Sequence, residues 1–133
     1  MNPKHVISEF SRAEKALRAA QLLLSNGLLE DTVSRSYYAI MHAARASLLA
    51  NDVIAESHAG VRRLFGDVLV RPGLVEKRWA SILATEQDQR IVADYDAEAL
   101  WEKETTEVIV MDARAFVQRI RDYLTGIGIN PEG

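Results

Sequence analysis

An all-α fold, an up-and-down bundle of about five helices, is what this sequence predicts, and three observations predict it. Apolar residues recur at three- and four-residue intervals over most of the 133 residues, the spacing that gathers them on one face of a helix. Only three prolines and seven glycines interrupt the chain, and most of them fall between the periodic stretches. There is no cysteine, so neither disulfides nor thiolate zinc ligands hold the fold together. A chain of this length needs no such staple, because it can bury roughly two-thirds of the surface that its unfolded form exposes. Residues 1–133 are therefore expected to form one domain, with 126–133 as a loose tail that contains Gly and Pro.

The first helix is expected from about Val6 or Ser8 to Ser25. Leu17, Ala20, Gln21 and Leu24 share a face, and Asn26-Gly27 supplies a left-handed stop. Ser11 and Glu14 have capping-box spacing but lie inside the periodic pattern. A second helix, about Leu29 to Ala50, opens with Glu30 and Asp31, whose charge suits a helix N-terminus, and ends at Asn51-Asp52. Ser57 can cap a third, His58 to Val70, which Arg71-Pro72-Gly73 terminates. The fourth is expected from Leu74 to about Ala93, carrying Trp79, Ile82, Leu83 and Ile91. Asp94 to Glu107 is acidic and fits no single period, with Tyr95, Leu100 and Trp101 as its anchors. The last helix, about Thr106 to Leu124, places Val110, Ala113, Phe116, Val117, Ile120 and Tyr123 at bundle spacing.

Sixteen basic against nineteen acidic residues give a net charge of −3. This is not the broad positive field of a protein held on nucleic acid by charge alone, though it leaves room for contact at one focused spot. The opening MNPKHVISEF has neither the pattern of a secretion signal nor that of a lipidation site. Charged residues break every apolar run well short of a membrane span, so the chain is expected in the cytoplasm, without a membrane partner.

The second helix carries the chemistry. Arg35 and His42 are seven residues apart, which returns them to one face about 10 Å apart along the axis. Tyr38 lies between them, and Asp31, Arg45 and Leu49 extend the stripe. The opposite side, with Tyr37, Ile40, Ala44 and Leu48, reads as the core face. Metal-free cleavage of a phosphodiester wants this set. An imidazole moves a proton near neutral pH, an arginine holds the phosphate, and a tyrosine orients an oxygen or stacks on a base. In RNA the 2′-hydroxyl is a built-in nucleophile. By spacing alone Arg–x6–His is a loose pattern, and a hydrogen-bonded packing or interface trio accounts for it as readily.

The wider string carries more information. Val33-Ser-Arg-Ser-Tyr-Tyr-Ala-Ile-Met-His-Ala-Ala-Arg45 is followed by Ser57-His58-Ala-Gly60-Val61, Leu64-Phe65 and Gly73-Leu74. Arg90 and then Ala93-Asp94-Tyr95 complete the series. This ordered series, over roughly Ser11 to Leu124, resembles the HEPN family (higher eukaryotes and prokaryotes nucleotide-binding domain), in particular its small single-domain prokaryotic branch. The resemblance implies a helical bundle that dimerises, and an Arg–x4-6–His ribonuclease motif matched by Arg35 and His42. It also implies an RNA substrate, a toxin role beside a nucleotidyltransferase-like antitoxin, and tyrosine nucleotidylation, which Tyr37 or Tyr38 could receive. Other members lack catalysis, so a non-catalytic helical module that docks on such a partner stands as the alternative.

The expected catalytic set is thus Arg35, His42 and Tyr38, with Arg45, Arg62 and Arg63 as candidate RNA-backbone contacts, Arg71 beside them, and no cofactor. An exposed basic patch without a role is the simpler account of Arg62, Arg63 and Arg71. Glu86, Arg90 and Asp94, four apart, read as a solvated salt-bridge ladder. His58 reads as a capping or packing group, and Trp79 and Trp101 as core or interface residues. Three scattered histidines suggest no metal site. An axial gap of about 10 Å, with helical side chains leaning toward the N-terminus, also favours a two-fold dimer in which Arg35 of one chain meets His42 of the other.

Overall fold

The computed structural model describes residues 1–133 as five helices with no strand. Helix α1 spans Pro3–Ser25, starting earlier than the apolar period suggests. The Asn2 side chain accepts a hydrogen bond from the Lys4 amide (3.0 Å), and Pro3 takes the first turn, where its missing N–H costs nothing. Asn26 ends the helix and Gly27 turns the chain at φ +72°, as expected. The short connection lays α2, Leu29–Leu49, against α1 along most of its length.

Helix α2 is the centre of the molecule and touches every other helix. Its expected core residues Tyr37, Ile40, Ala44 and Leu48 are all buried. So are Ala39, Ala43 and Ala46, whose small side chains let neighbouring helices approach closely on further faces. One cluster of 26 buried residues runs through the bundle, with Phe10, Tyr37, Phe65, Leu69, Leu83, Phe116 and Ile120 among its largest members. Each such side chain contributes roughly 1.5–3 kcal/mol of burial energy.

Ser57 caps α3, His58–Phe65, by accepting from the Gly60 amide, and a π-helical turn, Gly66–Val70, continues it. Helix α4 begins at Lys77 rather than Leu74, because Leu74 and Val75 belong to the turn, where Val75 is buried. Glu76 stands at its start and accepts from Arg119 Nε (2.8 Å) and Trp79 Nε1 (2.7 Å). The hydrogen bond from Arg119 is the main reason that its carboxyl is held down at about 2. Helix α4 ends at Tyr95, residues 96–102 form a loop, and α5 spans Lys103–Gly126. The acidic segment of no clear period is therefore three things: a helix end, a loop and a helix start. The expected loose tail folds back on the bundle instead. Ile129 is buried, its amide bonds to the Leu124 carbonyl, and Glu132 pairs with Arg121 at 3.0 Å. No helix is long and apolar enough to cross a membrane.

Candidate active-site groove

With its other faces covered, α2 shows the outside one stripe, and that stripe carries Asp31, Arg35, Tyr38, His42, Arg45 and Leu49. Arg35 is exposed and places its guanidinium carbon 5.5 Å from the centre of the Tyr38 ring. Tyr38 is half-buried. His42 is only 18 % exposed and directs Nδ1 at Glu9 Oε2 of α1, 2.5 Å away. A charge-assisted contact of this kind fixes which imidazole nitrogen faces the protein, leaving the other toward the surface.

Arg35, Tyr38 and His42 meet in one groove between α1 and α2, a cavity of about 380 Å³ whose α1 wall is Arg12, Lys15, Ala16 and Ala19. A second hollow adjoins it across Arg35 and Tyr38 and is bounded by Leu23, Asp31, Ser34 and Asp94. Asp94 is tied down there, accepting from Ser34 and from Arg90 at 3.2 Å.

Behind the groove lies an aromatic cluster. Tyr37 is buried and its hydroxyl lies 2.7 Å from His58 Nδ1. Burial pushes the phenol up to about 12 against the pull of Arg90, and burial foremost pushes the His58 imidazolium down, helped by Arg90, Arg45 and His42. The Tyr37 hydroxyl and Nδ1 share one hydrogen bond, whose direction is set by the tautomer of the imidazole. His58 also packs edge-on to Tyr38, 6.0 Å between ring centres, and Arg90 lies over Tyr37 at 5.3 Å. His58 is thus the packing group that its position suggests.

The candidate backbone contacts are not brought to the groove. Arg45 donates from Nε to the Ala55 carbonyl (3.0 Å) and stands 3.7 Å from Glu9, so it pins the chain after α2. Arg62 pairs with Asp88 at 3.2 Å, while Arg63 and Arg71 both face Asp67, at 3.9 and 3.4 Å. The expected solvated ladder on α4 is only half present: Arg90 and Asp94 pair, but Glu86 is buried with neither oxygen partnered. Of the two tyrosines considered for modification, Tyr37 is 1 % exposed, whereas Tyr38 lines the groove. Sequence reasoning missed Glu9, Arg12 and Lys15. Glu9 left a signal, an acid on the same helical side as Val6, Phe10 and Ala13, where only a partnered carboxylate is tolerated. No three His, Asp or Glu side chains converge as a metal site would need.

A helical bundle whose central helix leaves one Arg–Tyr–His stripe uncovered, beside a groove, belongs to the class of small helical domains built around a polar helix face. The chain is a member of the HEPN domain family, which matches residues 9–123. It is 39 % identical over 115 residues to a Methanocaldococcus jannaschii protein named "Putative toxin MJ0605", covering 86 % of this chain and 85 % of that one. A second M. jannaschii protein, "Putative toxin MJ0142", is 26 % identical, over 85 % of this chain and 77 % of its own length. A UPF0332 protein of Gloeobacter violaceus is 35 % identical, over 85 % and 90 % of the two chains.

Proposed function

We propose that this protein is a metal-independent endoribonuclease, the toxin of a pair with a nucleotidyltransferase-like antitoxin, working in the cytoplasm as a homodimer. The observation that carries the reading is the meeting of Arg35, Tyr38 and His42 in one groove, with His42 held by Glu9. The names of the relatives support the toxin role.

The chemistry follows from the groups present. His42 removes the proton of a 2′-hydroxyl, and that oxygen attacks the adjacent phosphorus. The bond from phosphorus to the 5′ oxygen breaks, and a proton returns to the leaving oxygen. The products are a 2′,3′-cyclic phosphate and a 5′-hydroxyl. Glu9 orients the imidazole and balances the charge that it gains. Arg35 holds the phosphate as negative charge builds on its oxygens, and its stacking on Tyr38 limits how far the guanidinium wanders. The offset of about 10 Å between Arg35 and His42 along α2 favours a two-fold partner that sets one chain's Arg35 across from the other's His42.

The test is incubation of purified, partner-free protein with RNA in excess EDTA. Cleavage that persists, leaves a 2′,3′-cyclic end and spares a 2′-deoxy sugar at the cut site is the expected outcome. Loss of cleavage on chelation refutes the mechanism. A second reading, a non-catalytic module that docks on a nucleotidyltransferase-like protein, is favoured by the exposed Tyr95 (78 %) and Leu100 (95 %) beside the acidic loop. Tight partner binding without any RNA cleavage would select it.

A further inference from the structure

Most arginines of this chain are already occupied: Arg45, Arg62, Arg63, Arg71, Arg90, Arg119 and Arg121 all stand within 4 Å of a carboxylate. Arg12 and Lys15 form no ion pair, both are exposed, and both line the groove that holds His42. Arg12 follows Glu9 by one helical turn, which places it next to the imidazole that Glu9 holds. The floor beside them is Ala16 and Ala19, so nothing bulky obstructs an approaching chain. Beyond Arg35 the adjoining hollow is more acidic, with Asp31 and the Arg90-paired Asp94 on its walls and the acidic 94–104 segment beyond.

We infer that Arg12 and Lys15, on the outer face of α1, are the binding track for RNA backbone phosphates flanking the scissile one, and that the strand leaves the groove over α1 rather than over α4. This rests on the ribonuclease reading for its substrate class but not for its geometry. A net charge of −3 is no obstacle, because counterion release is set by the unpaired cations that phosphates meet, and two of them sit beside His42. At the other end the exposed Asp31, which has no cation partner, repels the same backbone and gives the groove a polarity. Contacts of this kind position the strand without reading its sequence.

The experiment uses a fluorescein-labelled 2′-O-methyl RNA 12-mer, which has no attacking hydroxyl, and follows anisotropy against KCl concentration. R12Q/K15Q should weaken binding about tenfold or more at low salt and reduce the salt slope by about 1.4, at about 0.7 per phosphate contact on a single strand. R62Q/R63Q should leave both quantities unchanged. Helicity by circular dichroism keeps the comparison to folded protein. An unchanged slope in R12Q/K15Q, no binding by the unaltered chain, or a loss that follows R62Q/R63Q instead would overturn the inference. Tighter binding of poly-glutamate than of the RNA would also overturn it, in favour of an acidic protein partner. Binding that follows Arg12 and Lys15 while natural RNA is never cut would sustain the track and refute the ribonuclease.

Discussion

Glu86 sets a pH dependence on the stability of the whole bundle. It is 2 % exposed, neither carboxyl oxygen has a partner, and burial, with Asp112 adding a like charge, raises its pKa from 4.5 to about 9. A folded pKa above the unfolded one means that the native state holds a proton that the unfolded state releases. Stability is therefore unpenalised below pH 4.5 and falls as pH climbs toward 9. Each pH unit in that window costs about 1.4 kcal/mol, so the loss reaches about 3 kcal/mol at pH 7. Glu86→Gln keeps the shape and removes the titration. It should raise Tm at pH 7 by about 10 °C, for a domain of this size, and make the difference from the parent chain vanish near pH 4.5. Thermal melts followed at 222 nm from pH 4.5 to 8.5 provide the assay. A parent Tm that does not fall across this range, or a glutamine variant that melts with the parent at pH 7, refutes the reasoning.

Other expectations bear on the groove. Arg35→Ala should abolish RNA cleavage or growth inhibition with Tm nearly unchanged, since Arg35 is exposed. His42→Ala should abolish cleavage too, but at about 1–3 kcal/mol of stability, because it strips the buried Glu9 of its close partner; His42→Asn is the cleaner probe. Mixing Arg35→Ala chains with His42→Asn chains should restore one working site of two in each heterodimer if each site takes one residue from each chain, and proven exchange with no recovery would exclude that arrangement. Incubation with a nucleotidyltransferase partner and ATP should add mass at Tyr38 and not at the buried Tyr37; peptide mass spectrometry of Tyr38→Phe and Tyr37→Phe chains separates the two.

The sequence by itself determined the helices and the stripe on α2, because both are local. A 3.6-residue period, an Asn-Gly stop and a Ser cap act within a few residues of chain, and Arg35, Tyr38 and His42 share a face by helix geometry alone. The early start of α1 was equally local, written in Asn2 and Pro3. Only the tertiary structure decided what each charge meets. Glu9 reaches His42 from 33 residues away and Arg121 reaches Glu14 from 107, distances over which spacing carries no information. The same packing turned an expected surface ladder into a buried Glu86, and occupied Arg45, Arg62 and Arg63 while leaving Arg12 and Lys15 free at the groove. Charge type is written in the sequence, but whether a charge is spent on a neighbour or kept for a ligand depends on which helices come together, and that is a property of the packed bundle.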